Sequence, residues 1–211
     1  IEAVAMDWKW LFIYPEYGVA SVNQIAFPED TPVNFKITSA TVMNALFIPQ
    51  LGSQIYAMNG MQTRLHLIAR EAGSYDGLSS NYSGAGFSDM RFRLRGVAPA
   101  EFDRWAGAVR LQSRPLTTAA YLDLEKPSEK VPPMAFGAVE TGLFGRVVDR
   151  CVAPGAPCMS TTMAADRRKD AAPTHEHAPS AAEPSPAPMG DAHPHDMAIL
   201  STAPGRPAAG A

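Results

Sequence analysis

The stretch best suited to chemistry is residues 73–90, GSYDGLSSNYSGAGFSDM, which is rich in glycine and serine. Five serines and several glycines supply turn geometry there, and the only carboxylates are Asp76 and Asp89. The stretch contains no cysteine and no histidine, the side chains that bind transition metals most readily. The pattern therefore predicts a loop between two strands that is typical of a metal-binding loop but lacks the strong metal ligands.

His66 is the only histidine before residue 153. It lies on the polar face of a predicted strand, between Arg64 and Arg70, and these cations disfavour a metal there. We expect a solvated or hydrogen-bonded imidazole. No Gly-x-Ser-x-Gly elbow occurs, and no histidine is placed to activate a serine, which argues against a hydrolase.

Cys151 and Cys158 are separated by the turn-forming spacer VAPGAP. In an oxidising compartment they could close a small disulfide loop, whereas in a reducing one they would stay thiols. Only Met159 stands beside them as a further soft ligand, and metal sites need three or four ligands. The sequence leaves the choice between disulfide and thiols open.

Residues 153–211 hold 10 of the 19 prolines, and no aromatic residue follows Phe144. Such a segment cannot bury enough apolar surface to offset the entropy of ordering it, so we predict a disordered Pro/Ala-rich tail. It also carries side chains that could bind copper or zinc loosely, although the pattern favours a solvated low-complexity tail. These side chains are His175, His177, His193, His195, Met189 and Met197.

Alternating apolar residues predict about six short strands in residues 1–97. The first is predicted to run unbroken from Val4 to Tyr14, and the last places Met90, Phe92 and Leu94 inward. Turn signals between the strands favour an antiparallel sandwich or barrel. In residues 98–152 the period becomes helical, with helices expected near Pro99, Thr117 and Thr141.

Composition excludes several classes of protein. The net charge of −3 argues against a nucleic-acid binder. No run approaches 18 apolar residues, so no membrane span is predicted in this stretch, although the start at Ile1 is consistent with a processed or excised piece. Two sets of side chains are candidates for subunit contact: the aromatic stripe Trp8, Trp10 and Tyr14, which would otherwise be core, and the outward row Arg91, Arg93 and Arg95.

Several phrases together resemble the extramembrane domain of subunit II of the haem–copper respiratory oxidases. They are DWKWLFIYPEYG, VMNALFIPQLGSQIYAMNGMQTRLHL and the loop ending FSDM. The resemblance implies a cupredoxin-like β-sandwich. It also implies a copper-ligand template, a histidine ahead of a V-P-like segment and a loop C-x-E-x-C-x3-H-x2-M.

Placed on this chain, the template falls on residues that are poor copper ligands. Neither thiolate of a binuclear centre is present, and a lone thioether cannot replace them. Leu78 and Tyr82 are expected to fill the space of the thiolates. The positions assigned are Asn44, Leu78, Ser80, Tyr82 and Gly86, with the methionine position at Asp89 or, one residue on, at Met90.

This copperless pattern is similar to subunit II of the cytochrome bo-type ubiquinol oxidases, over about 150 residues. The resemblance implies a periplasmic domain without catalytic residues or cofactors, in a proton-pumping oxidase of the bacterial inner membrane. The haems and copper would belong to the large subunit I, to which this domain and the other subunits bind, and an upstream lipid-modified segment would provide the membrane anchor. The alternative is a periplasmic copper-delivery protein that uses the His/Met tail.

Overall fold

The computed structural model describes residues 1–112 and 114–170. Ten strands in the first hundred residues form a two-layered sandwich. They are β1 (Glu2–Met6), β2 (Lys9–Tyr14), β3 (Val19–Val22), β4 (Gln24–Pro28), β5 (Val33–Ser39), β6 (Asn44–Phe47), β7 (Ile55–Ala57), β8 (Thr63–Leu67), β9 (Gly73–Ser79) and β10 (Arg91–Val97).

The extension that follows mixes helices with short strands. Its elements are α1 (Pro99–Arg110), β11 (Pro115–Leu116), α2 (Thr118–Glu125), β12 (Met134–Phe136), β13 (Ala138–Val139), α3 (Leu143–Val148) and α4 (Met159–Asp170). One sheet has the order β12-β3-β2-β1-β5-β8 and the other β4-β10-β9-β6-β7. The predicted class, a mainly β cupredoxin-like sandwich with a helical extension, is confirmed. Two pairings, β1 with β5 and β10 with β4, are parallel, so the sheets are mixed rather than purely antiparallel.

The first predicted strand is in fact two strands. β1 and β2 form an antiparallel hairpin that turns at Asp7 and Trp8. Every residue of β2 is buried, and its side chains alternate between two cores. Trp10, Phe12 and Tyr14 face the second sheet. Leu11 and Ile13 face the extension, which covers the other side of the six-stranded sheet. A strand buried on both faces shows a nearly continuous apolar run.

The helices of the extension follow their sequence signals. In α1, Phe102 and Val109 are buried as the helical period predicts, because they lie on one stripe. At the start of α2, the Thr117 hydroxyl accepts a hydrogen bond from the Ala120 N–H at 3.2 Å, and the helix ends before Pro127. Strand β12, which was not predicted, pairs with β3 and so attaches the extension to the sheet edge.

Glu140 joins the start of α2 to α3. Its carboxylate accepts hydrogen bonds from the Thr118 N–H at 2.5 Å, from the Thr118 hydroxyl at 2.8 Å and from Arg146 at 2.7 Å. The hydrogen bonds from Thr118, followed by the charge of Arg146, lower the pKa of the Glu140 carboxyl below its ordinary value.

Because the folded-state pKa of Glu140 is depressed, its contribution to stability is complete above the unfolded value of about 4.3 and is lost as the pH falls through the folded value. We expect Glu140→Gln to lower the melting temperature at neutral pH and to have a smaller effect below about pH 4. Thermal melts of both proteins across pH 3–7 measure this. An equal loss at every pH would contradict the assignment.

Cys151 and Cys158 form a disulfide. Of the two states that the sequence left open, the structure therefore has the disulfide and not the free thiols. Immediately after it, α4 begins, although residues 153–211 were predicted to be disordered; that prediction is wrong for residues 159–170. Its first turn is held by Asp149, which accepts hydrogen bonds from the N–H and hydroxyl of Ser160 at 2.7 and 2.6 Å. Residues 171–211, with the tail histidines, lie outside the described residues.

Among the described residues, no helix combines the length and the apolarity needed to cross a bilayer.

Candidate functional site

Two of the predicted metal-site positions, Asn44 and Met90, lie with Ser79 and Ser83 at one end of the sandwich, where β6 begins and β9 ends. Asn44 is fully buried, and the Ser79 hydroxyl donates a hydrogen bond to its Oδ1. The Ser79 N–H donates to the Met90 carbonyl at 3.0 Å, and the Ser83 hydroxyl lies 4.0 Å from Met90 Sδ. We call Asn44, Ser79, Ser83 and Met90 the Asn44 cluster. Within the described part of the chain, Asn44 Nδ2 is buried without a hydrogen-bond partner.

The contacts of Ser79 with Asn44 and of Ser83 with Met90 fit the ligand template when it is placed one residue later than predicted. When the last position of the loop template is set on Met90, its earlier positions fall on Ser79, Asn81, Ser83 and Phe87. Strand side chains alternate between faces, so a shift of one residue exchanges the inward and outward sets. The structure places Ser79 against Asn44, and Leu78 lies on the other face, paired with Phe47 and Arg91.

Three of the residues assigned from the sequence lie away from the interior. Tyr82 is 75% exposed and forms a T-shaped pair with Phe87, with ring centroids 5.6 Å apart, so the prediction that it fills a vacated volume is wrong. Leu78 is half-buried on the opposite face from Ser79. The Ser80 hydroxyl donates to Gln54 Oε1 at 2.6 Å on the surface.

The space beside the loop is filled by Trp8, which the sequence placed in the aromatic stripe, either as core or as a candidate for subunit contact. Its indole N–H donates to the Ser83 carbonyl at 2.8 Å. The ring lies so close to the loop glycines that a Cβ at Gly86 would be 2.7 Å from it, and one at Gly84 would be 3.1 Å from it. The glycines are therefore needed for close approach, and Trp8 holds the loop against the hairpin turn.

Gly86→Ala is expected to destabilise the fold by about 1–3 kcal/mol, because the methyl group would overlap the Trp8 ring. Gly107→Ala in α1 is the matched control. A Cβ there meets nothing within 4 Å, and alanine should stabilise the helix by about 0.5–1 kcal/mol. Urea unfolding of both variants measures the difference, and equal stabilities would contradict the packing of Trp8 on the loop.

Lys9 fastens the extension to the same hairpin turn. The Lys9 side chain is fully buried, because the extension covers that face of β2. Its ammonium donates to the carbonyls of Asp7 and Lys126 at 2.8 and 2.9 Å and to the Ser128 hydroxyl at 2.7 Å. Ser128 also exchanges backbone hydrogen bonds with the turn. Burial lowers the pKa of Lys9, and the nearby Asp7 opposes that shift.

The chemistry of the Asn44 cluster is that of neutral, hard or weakly coordinating groups: two hydroxyls, one amide and one thioether. A binuclear copper centre requires thiolate ligands, so these side chains do not fit that group. Elsewhere in the described residues, one set of three potential ligands lies close together, Asp149, Cys151 and Cys158. Its sulfurs are joined to each other, which removes them as thiolates.

The other candidates are divided between core and surface. Trp10 and Tyr14 are buried at 0% and 2% exposure, so they belong to the core and do not form a contact surface. Trp8 is half-buried against the loop. His66 shares a hydrogen bond with Asn34 on the neighbouring strand, which confirms the hydrogen-bonded interpretation. The row Arg91, Arg93 and Arg95 is exposed, as predicted.

Two family models match the chain. Residues 19–97 match the cytochrome c oxidase subunit II periplasmic domain, and residues 110–155 match the COX aromatic rich motif. The cytochrome bo(3) ubiquinol oxidase subunit 2 of Pseudomonas aeruginosa is 57% identical over 150 residues, which cover 71% of this chain and 45% of that protein. The ubiquinol oxidase subunit 2 of Acetobacter aceti is 55% identical over 148 residues, 70% of this chain and 48% of that protein. The chain belongs to the oxidase subunit II family.

Within the oxidase subunit II family, more distant relatives include the quinol oxidase subunit 2 of Bacillus subtilis, 38% identical over 138 residues, 65% of this chain and 43% of that protein. Among solved structures, the periplasmic domain of subunit II of cytochrome oxidase (CoxB) of Bradyrhizobium japonicum aligns with a TM-score of 0.49 at 25% identity. That alignment covers 51% of this chain and 90% of the CoxB domain. The chain spans about half the length of the curated relatives it matches.

Proposed function

We propose that this chain is the periplasmic part of subunit 2 of a proton-pumping ubiquinol oxidase, in which it supports the assembly and carries no electrons. The observation behind this proposal is the Asn44 cluster, in which an amide, two hydroxyls and a thioether stand where the family template has copper ligands. The names of the similar proteins, ubiquinol oxidase subunit 2, support the same class of enzyme.

The nature of the electron donor distinguishes a supporting role from a role in electron transfer. A binuclear copper relay would serve a water-soluble electron donor outside the membrane. A quinol delivers its electrons from within the bilayer, so an external relay would have no task. We infer that the haems, the copper and the quinol site belong to the large subunit, and that this chain binds no cofactor of its own.

The packing inside the loop supports a structural role for this domain. Trp8 packs on Gly84 and Gly86, and Lys9 joins the hairpin turn to the extension, so the loop is held by packing and hydrogen bonds. Such a domain would sit on the periplasmic face of the inner membrane, bound to the large subunit. Its contribution to activity would be assembly and stability of the complex.

Copper binding tests the proposal directly. The chain is titrated with copper under reducing and then oxidising conditions, beside a truncated chain that ends at Asp170. We expect neither protein to give a stoichiometric mixed-valence electron spin resonance signal. Copper bound by the full chain but not by the truncated one would belong to the tail. A stoichiometric mixed-valence signal from both proteins would defeat the supporting role.

A further inference from the structure

The segment that joins α3 to α4 brings three potential metal ligands together. The Asp149 carboxylate and the sulfurs of Cys151 and Cys158 offer ligand atoms that all lie within 4.8 Å of one another. In the part of the chain that the structure describes, no other three acids, cysteines or histidines lie so close. The two sulfurs are joined in a disulfide. Thiolates are the metal-binding form of cysteine, so the cluster becomes a metal site only when the disulfide is reduced.

The spacer between the two cysteines forms a tight loop that brings the chain back to its starting point. The Ala156 N–H donates a hydrogen bond to the Ala153 carbonyl at 3.0 Å, and Gly155 has a φ of 78°, which glycine adopts without strain. The Met159 N–H donates to the Asp149 carbonyl at 2.9 Å and closes the loop. Backbone hydrogen bonds therefore help to keep the three ligands together when the S–S bond is absent.

The Asp149 carboxylate is oriented by the first turn of α4. The Ser160 N–H donates to its Oδ1 at 2.7 Å, and the Ser160 hydroxyl donates to its Oδ2 at 2.6 Å. Carboxylates that bind metals are themselves hydrogen-bonded in this way, and such partners fix their orientation. Each carboxylate oxygen has two lone pairs, so one hydrogen bond to each oxygen leaves a further lone pair for a cation.

The types of ligand select the metal. Two thiolates and one carboxylate suit Zn²⁺, whereas Mg²⁺ and Ca²⁺ prefer oxygen ligands alone. Around a tetrahedral Zn²⁺, whose bonds are about 2.0–2.3 Å long, neighbouring ligand atoms lie about 3.5–3.8 Å apart. The present arrangement is close to this, because only the two bonded sulfurs have to separate. Three protein ligands leave the fourth tetrahedral position to water.

The same cluster anchors α4 to the rest of the domain. None of residues 159–169 is fully buried, so the helix gains little from packing, and a helix of 12 residues is marginal by itself. The bonds and close contacts that hold it lie at its first turn. They are the disulfide of Cys158, the hydrogen bonds of Ser160 to Asp149, and the Met159 sulfur, which lies 3.1 Å from the position of a Cβ at Gly60.

We propose that Asp149, Cys151 and Cys158 form a redox-controlled zinc site. A dithiol reductant breaks the S–S bond by thiol–disulfide exchange, in which the dithiol is oxidised to its own disulfide and the protein gains two thiols. Zn²⁺ then displaces the two thiol protons and bonds to both sulfurs and to the Asp149 carboxylate. The disulfide and the zinc ion are thus alternative links between α3 and α4. Zn²⁺ has no redox chemistry, so this site transfers no electrons and is independent of the proposed function.

Co²⁺ is the probe for this site, because a cobalt thiolate gives a sulfur-to-metal charge-transfer absorption that the histidines of residues 171–211 cannot produce. The full chain is reduced, freed of reductant without oxygen, and titrated with Co²⁺ and then with Zn²⁺. We expect a stoichiometric band that Zn²⁺ abolishes, and no band from the oxidised chain or from Cys151→Ser/Cys158→Ser. Asp149→Asn should bind about tenfold more weakly. Asp166→Asn, which changes an exposed acid of α4 outside the cluster, is the matched control and should bind as the wild type does.

Hydrogen exchange of the α4 amides provides a second readout. We expect slow exchange in the oxidised chain, exchange about tenfold faster in the reduced, metal-free chain, and slow exchange again after Zn²⁺ is added. The absence of a charge-transfer band from the reduced chain would overturn the zinc site. Equal affinities of the wild type and Asp149→Asn would also overturn it, because the thiolates would then act without the carboxylate. Loss of the whole fold on reduction, measured by circular dichroism, would show that the disulfide is a structural bond and would equally overturn the proposal.

Discussion

A chain carrying five substitutions that restore the ligand template in the register set by Met90 is expected to bind a binuclear copper centre. The substitutions are Asn44→His, Ser79→Cys, Asn81→Glu, Ser83→Cys and Phe87→His. The reason is geometric: Ser79 already meets Asn44, and Ser83 already approaches Met90 Sδ. Thiolates and imidazoles at these positions would supply the soft and borderline ligands that copper requires. Metal analysis and a mixed-valence electron spin resonance signal measure the outcome.

The matched control keeps Asn44→His and Phe87→His and places the other ligand types one residue earlier, with Leu78→Cys, Ser80→Glu and Tyr82→Cys, so that Gly86 still packs on Trp8. Leu78 faces away from Asn44 and Tyr82 is exposed, so this variant should not form the centre. Copper binding by the shifted variant, with none by the first, would show that the register derived from the structure is wrong. If neither variant binds copper, the loop does not adopt the geometry that the ligands require, and the prediction fails.

Lys9→Met is expected to destabilise the fold by about 2–4 kcal/mol, because it removes the three charge-assisted hydrogen bonds of the ammonium, to the carbonyls of Asp7 and Lys126 and to the Ser128 hydroxyl. Methionine keeps much of the volume, so the loss reports the hydrogen bonds more than a cavity. The extension should separate from the hairpin turn first. Urea unfolding gives the free energy, and hydrogen exchange of the Trp8 and Ser128 amides reports the local opening.

Lys36→Met is the matched control for this prediction. Lys36 is half-exposed and forms an ion pair with Glu2 at 3.4 Å, so its loss should cost less than about 1 kcal/mol. Equal effects of the two substitutions would contradict the role assigned to Lys9. Exchange that rises across the whole sandwich, with no excess near Ser128, would show that Lys9 stabilises the core generally and does not specifically fasten the extension.

The local elements of this protein are encoded in short-range patterns. Alternation in Arg91–Val97 predicts β10, and the stripe of Phe102 and Val109 predicts α1. Thr117 and Pro127 bound α2 as capping and helix termination require. The lack of cysteine and histidine in residues 73–90 is a property of composition, so the shortage of copper ligands there does not depend on the register.

Properties that depend on contacts between distant segments were decided only by the tertiary structure. Whether Leu78 or Ser79 meets Asn44 depends on how β6 and β9 pair, and a shift of one residue reverses the face. Lys9 is buried because an extension more than a hundred residues away covers its strand. The sequence by itself determined the β class, the helices of the extension and the missing metal donors. Side-chain periodicity reports one buried face, but it does not say what covers the other, and so the arrangement of the site and the Lys9 contacts emerged only from the fold.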